Sequence, residues 1–232
     1  MKKNGRRRTL VDYSGLRFTN LTDPRYSHIL LILGWVFYFT MYFITEHVIP
    51  VEKCHVIHSR LDDMIPFREE FVLVYVFWYL YVFGTLLFYL LFDKECFRRV
   101  QIFIITCQII GVVTIIVFPS VQFLRPAAFE SENFFTWILK IIYGFDTPTG
   151  VFPSMHVAFS MAVAYTWCRD KHASMAVKVF AVVAAVAIAA STTLIKQQSA
   201  LDVFGAVPVG IVSAFSVMFF EKRRAKRLNK EN

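Results

Sequence analysis

The run FVLVYVFWYLYVFGTLLFYLLF, Phe71 to Phe92, extends for 22 residues without a charge. A helix rises about 1.5 Å per residue, so such a segment covers roughly 33 Å and crosses a hydrocarbon core of about 30 Å. Working outward, Ile29–Thr45 and Val100–Phe118 are two more uncharged apolar runs. Of the 232 residues, 56% are hydrophobic and 17% aromatic, more apolar surface than a water-soluble domain of this size can carry. The chain therefore reads as an all-α integral membrane bundle. Six spans are expected, near 28–49, 70–92, 99–118, 151–168, 175–195 and 200–220. The fourth begins at Pro153, which suits a first helical turn. The fifth contains the small-residue run Ala181 to Ala190, which predicts a central helix with close neighbours. Three segments follow: a basic tail over 1–27, a six-span membrane domain over 28–220, and a basic tail over 221–232. The first apolar run is too long for a cleaved signal core and has no small-residue cleavage site after it, so it is expected to remain as an anchor.

The net charge of +8 is not spread over a face, as nucleic-acid binding requires, but sits at the chain ends and in short connections. Nineteen of the 25 Lys and Arg residues fall in the two tails and the loops after the second and fourth spans. The other three loops hold 6. The positive-inside rule then predicts both termini in the cytoplasm, with loops 50–69, 119–150 and 196–199 outside. Cys54, Cys96, Cys107 and Cys168 lack C-x-x-C spacing, and only Cys54 is expected outside, so no disulfide, zinc or redox site is predicted. No His, Asp and Glu cluster has metal-ligand spacing. Phe134, Ile138, Ile141 and Ile142 recur at helical spacing in the long second outer loop, with Trp137 and Tyr143 suited to an interface. They predict a short helix in the headgroup layer, serving either as a rim that guides lipid or as a plain connector. Glu46, Asp62 and Asp63 lie near the same face. They read as solvated loop charges, with contact to a cationic headgroup as the other reading.

The polar residues able to do chemistry gather at the outer ends of the spans in three groups. These are Arg125-Pro126, Phe152-Pro153-Ser154-Met155-His156, and the stretch from Ser191 through Lys196, Gln197, Gln198 and Ser199 to Asp202. Ser154 and His156 open a helix, where free N–H groups and the helix dipole favour an anion. Arg125 offers a planar fork for phosphate oxygens, and Lys196 a second positive charge. Gln198 and Asp202 are four apart and share a helix face. Together they suggest phosphate recognition at the outer membrane surface.

These three groups resemble the signature motifs of the type-2 phosphatidic acid phosphatase superfamily. Within it the chain looks similar to the branch containing sphingomyelin synthase-like and inositol phosphorylceramide synthase-like proteins, as does Leu61-Asp62-Asp63-Met64-Ile65-Pro66-Phe67. The resemblance covers the six-span layout and most of the chain. It implies a ping-pong reaction in which a third-motif histidine attacks phosphorus, an aspartate orients it and the second-motif histidine protonates the leaving oxygen. By that correspondence His156 is the acid, Asp202 the orienting carboxylate, and Arg125, Ser154, Ser191 and Lys196 the phosphate contacts. The chain departs at four places: Phe118 replaces the first-motif lysine, Met155 a glycine, Thr192 an arginine, and Gln198 the nucleophilic histidine. A glutamine amide is neither nucleophile nor base at neutral pH. Losing one member of a catalytic unit costs roughly 10⁴- to 10⁶-fold in rate. The implied protein is a lipid-phosphate binder impaired in phosphohistidine catalysis. The alternatives are a lipid phosphatase or headgroup transferase that uses Gln198 to orient direct attack, or an inactivated variant of an active one. The implied ligands are a phospholipid, a sphingolipid-like lipid or a polyprenyl phosphate, in the cell membrane, with an extracytoplasmic site and no cofactor.

Overall fold

The computed structural model describes residues 8–231. Helices account for nearly all of its regular structure: α1 (Leu33–Val48), α2 (Arg60–Met64), α3 (Val72–Phe92), α4 (Lys94–Val117), α5 (Phe134–Phe145), α6 (Met155–Arg169), α7 (Met175–Leu194) and α8 (Ala200–Glu231). Two-residue strands β1 (His55–Val56) and β2 (Ser120–Val121) pair in parallel. Five helical segments are long and apolar enough to cross a membrane: Ser27–Val48, Glu69–Phe92, Lys94–Val117, Met175–Leu194 and Ala200–Arg227. The protein is thus an all-α, multi-pass membrane protein.

α6 is the exception in length. It has 15 residues, begins at Met155 rather than near 151, and leaves Pro153 ahead of the helix. Ser154 forms the N-cap, its Oγ accepting the Val157 N–H at 3.3 Å. α6 is also the central helix, packing against α3, α4, α7 and α8. The expectation of a central fifth span is corrected here. α7 buries Ala181, Ala184 and Ile188, one face at helical spacing, and exposes Val179, Phe180, Val182, Val183 and Val186. Its small residues do allow a close approach, but on one side only, and the rest of the helix faces outward.

Successive long helices run in opposite directions, so every connection lies at one of two ends. At the far end Asp93 joins α3 to α4 and caps α4 through the N–H groups of Glu95 and Cys96 at 3.1 and 3.0 Å. Lys94, Arg98 and Arg99 thereby belong to α4 itself, and α8 runs through the basic segment beyond 220 as continuous helix. Arg99 and Arg169 both meet Glu221, at 2.7 and 3.2 Å, tying α4 and α6 to α8. The N-terminal segment folds back onto this end. The Val11 N–H donates to the Leu91 carbonyl at 2.7 Å, and Arg8 pairs with Asp170.

The opposite end holds α2, the strand pair, α5 and the α7–α8 connection. α5 starts at an Asn133 capping box with Thr136 and buries Thr136 and Leu139, while Phe134, Trp137, Ile141 and Phe145 stay exposed. The short amphipathic helix expected in the long loop is present.

Candidate functional site

At this end a cavity of about 320 Å³ lies between α1, α3 and α6, closed by residues 145–151 and by Gln197 and Gln198. Half of the residues around it are Phe, Tyr or Trp. Tyrosines aside, its ionisable side chains are Asp146 and His156, and neither Lys nor Arg lines it.

His156, the second residue of α6, stands against Trp78 at 4.4 Å and Tyr75 at 4.8 Å between ring centroids. Its carbonyl accepts from Trp78 Nε1 at 3.0 Å and from Ser160 Oγ at 2.7 Å. Its Nε2 is buried and meets no protein partner. With Ser154 capping Val157, the N–H groups of Met155 and His156 have no acceptor within the helix.

Gln198 reaches the cavity because the chain folds tightly after α7. The N–H groups of Gln197 and Gln198 both donate to the Thr192 carbonyl, at 2.9 and 3.0 Å. Gln198 is buried and its Oε1 is unpartnered. Gln197 is buried too, and its Nε2 donates to the Asp146 carboxylate. Asp202 is fully buried beneath, its Oδ2 accepting the Ser199 N–H at 2.8 Å, its Oδ1 without a partner. Its carbonyl accepts the Ser154 N–H at 3.0 Å, which joins the second and third sequence groups directly.

The cationic residues expected on the phosphate point elsewhere. Arg125 donates to the carbonyls of Tyr143, at 3.2 Å, and Asp146, and lies over the Tyr143 ring at 4.5 Å. It fastens the end of α5 from behind the cavity wall. Lys196 has φ +54°, a left-handed conformation, and its Nζ donates to the carbonyls of Asp62 and Ile65 at 2.7 and 2.5 Å. It closes the C-terminal end of α2, where those carbonyls would otherwise lack donors. Burial lowers its pKa, and Asp62 and Asp63 partly restore it. Ser191 donates within its own helix, to the Ile188 carbonyl at 2.7 Å. Of the seven residues singled out by sequence, His156 and Gln198 line the cavity, Ser154 and Asp202 brace it, and Arg125, Lys196 and Ser191 do not face it.

Asp62 corrects the reading of a solvated loop charge. It is buried, and its carboxylate accepts from the Ser59 N–H at 2.7 Å, Ser59 Oγ at 2.9 Å, Ser199 Oγ at 2.6 Å and the Ala200 N–H at 2.7 Å. Burial works against its charge, yet these bonds together hold the carboxyl below the usual carboxylate range. It caps α2 and α8 at once and fixes the Gln197–Gln198 turn. Asp63 is exposed and meets His58 at 2.8 Å. Asp146 and the aromatic walls were not singled out by sequence. Nothing local marks Asp146 beyond its place after the amphipathic helix.

At the far end the ligand atoms of Asp93, Cys96 and Asp170 lie within 4.8 Å of one another. The Arg8 guanidinium takes that position, pairing with Asp170, standing 3.9 Å from Asp93, and facing the rings of Phe88 and Tyr89 at 5.3 Å each.

Fold and cavity define a class: a multi-pass α-helical membrane protein with a ligand-sized recess at one end of the bundle. Comparisons with protein-family models, curated proteins and solved structures gave no match to the chain.

Proposed function

We propose that the protein binds a lipid headgroup bearing phosphate, on the plan of the type-2 phosphatidic acid phosphatase superfamily, and forms no phosphohistidine. The observation that carries this reading is the convergence of His156 and Gln198 on one cavity, each with a buried polar atom left unpartnered: His156 Nε2, which can donate to a phosphate oxygen, and Gln198 Oε1, which accepts and calls for a hydroxyl or protonated phosphate of the same headgroup. Unpaired buried polar groups cost about 1–3 kcal/mol apiece, so their retention fits a ligand that completes them. The donors available to a phosphate are neutral ones: the His156 imidazole, the Gln198 amide and the first N–H groups of α6. α6 serves as the remaining span, fourth in chain order, with both termini cytoplasmic and the cavity at the outer face, following the excess of Lys and Arg at the far end. The ligand is a phospholipid, a sphingolipid-like lipid or a polyprenyl phosphate.

The test is phosphate release and headgroup transfer from a panel of lipid phosphates, with binding measured in parallel. The chain is expected to bind and not turn over. Gln198→His is expected to raise phosphate release at least ~100-fold above that background, a fraction of what a missing catalytic member costs. Turnover by the unaltered chain that His156→Ala abolishes would sink the reading in favour of direct transfer through Gln198.

A further inference from the structure

We infer that the far end of α8 carries a separate lipid contact: Lys222, Arg223, Lys226 and Arg227 form a stripe that holds the anionic headgroup of a phospholipid in the leaflet at that end. The stripe lies at the opposite end of the bundle from the recess and does not depend on what the recess binds.

Three observations carry it. The first is level. From Val203 to Phe220 α8 has no charge. The next residue, Glu221, meets Arg99 near the start of α4 and Arg169 at the end of α6. The four cations follow where the neighbouring helices end. From Lys222 to Arg227 the helix rises about 7 Å, close to the roughly 5–7 Å of one headgroup layer. The Arg223 guanidinium lies over the Phe219 ring at 4.6 Å, which joins the first of these charges to the last aromatic residues of the apolar stretch.

The second is direction. Glu221 and Arg224 turn toward the bundle, Arg224 pairing with Glu95 on α4. Lys222, Arg223, Lys226 and Arg227 are all exposed, and at about 100° per residue they occupy one arc of roughly 140° on the other side of the helix. The exposed apolar residues of α8 lie above them. Helical spacing sets Lys222 in line with Phe204, Ile211 and Phe215, and Arg223 in line with Val212 and Phe219. A face that meets acyl chains along the span meets their headgroups where it passes into cations. Charge that served orientation alone could sit on any face of the helix.

The third is the lack of counter-charge. Arg99 and Arg169 share Glu221, and Arg98 and Arg224 share Glu95. Among the described residues the four stripe cations enter no ion pair. Lys222 and Lys226 are four apart, as are Arg223 and Arg227, and like charges at that spacing repel. A phosphodiester between the rows would replace repulsion with attraction, and arginine forks suit its oxygens.

The test titrates the full-length protein in dodecyl maltoside micelles with dihexanoyl phosphatidylglycerol, dihexanoyl phosphatidylcholine, glycerol 3-phosphate and a short oligonucleotide, at low and high salt. Phosphatidylglycerol is expected to bind at least ~10-fold tighter than phosphatidylcholine at low salt, and the preference should shrink at high salt. The combined variant Lys222→Gln, Arg223→Gln, Lys226→Gln and Arg227→Gln should abolish the preference. Lys222→Arg with Lys226→Arg should retain it. So should Arg17→Gln with Arg25→Gln and Lys171→Gln, which removes exposed cations of the same end from other segments. Equal binding of the two lipids, or a preference that survives the combined variant, overturns the inference. Loss of the preference in the Arg17, Arg25 and Lys171 variant overturns the stripe in favour of diffuse charge. Glycerol 3-phosphate binding as tightly as phosphatidylglycerol overturns the lipid in favour of a free anion, and tighter binding of the oligonucleotide overturns it in favour of nucleic acid. His156→Ala should leave the preference intact. Its loss there would place the anionic lipid in the recess, overturning this inference and leaving the proposed function standing.

Discussion

At the scale of single residues, Asp62 carries the most structure for its size. Four hydrogen bonds converge on its carboxylate, two of them from the start of α8. Asp62→Ala would leave the Ser199 hydroxyl and Ala200 N–H buried without an acceptor. It is expected to cost about 1–3 kcal/mol, read as a lower melting temperature in detergent. The carboxyl is held below its unfolded value, so its stabilising effect is complete above the ordinary carboxylate range near pH 4. The effect is lost as pH falls through the lower, folded value. Melting temperature should therefore hold between about pH 7 and 5 and drop below about 4, and Asp62→Asn should flatten that drop. Sequence spacing made His156 and Gln198 legible, because each sits at a helix start or turn whose position the apolar runs fix. It could not reveal Asp62, whose decisive partners lie 137 and 138 positions away. The direction of Lys196 was not legible for a related reason. A φ of +54° sets its direction, and nothing in the surrounding sequence demands that conformation.

At the scale of elements, the helices were largely legible, since uncharged runs of spanning length leave little freedom. Their depth in the bundle was not. Composition marked α7 as central, whereas the burial pattern gives that place to α6, whose polar residues are few and largely satisfied internally. Ser160 and Thr166 donate to the carbonyls four residues earlier, at 2.7 and 2.8 Å. A more direct sign of close approach is Gly205 on α8, where an added Cβ would stand 2.3 Å from Phe152 Cε2. Gly205→Val should push α8 off the turn that carries Ser154, at about 1–3 kcal/mol, with a larger loss of ligand binding than of helix content by circular dichroism.

At the scale of the whole molecule, the two ends differ in kind. One holds a recess walled by aromatic side chains with a few polar groups. The other is tied by ion pairs around Glu221 and by the N-terminal segment through Arg8. Asp170 is nearly inaccessible, so Arg8→Ala would strand a buried carboxylate, at a cost of about 3 kcal/mol in thermal unfolding. The native cysteines report orientation. Cys54 lies at the cavity end, Cys168 is exposed near the other, and Cys96 and Cys107 are buried. An impermeant thiol reagent on intact cells is expected to label Cys54 and to reach Cys168 only after permeabilisation. The reverse pattern would invert the proposed topology. The distribution of Lys and Arg proposes this orientation, which the labelling tests, whereas the folding back of the N-terminal segment was not legible, because no periodicity announces it.

The shortness of α6 has a consequence of its own. Fifteen residues span about 22 Å, some 8 Å less than a typical hydrocarbon layer. An isolated helix of that length would thin the bilayer around it or gather partners to hide the mismatch. α6 is walled in by longer helices, so the missing length is felt by no acyl chain. It becomes a sunken floor instead. A headgroup resting on His156 would sit several ångströms below its neighbours in the same leaflet, lifted out of the lipid plane's lateral order and screened from bulk water before any chemistry begins.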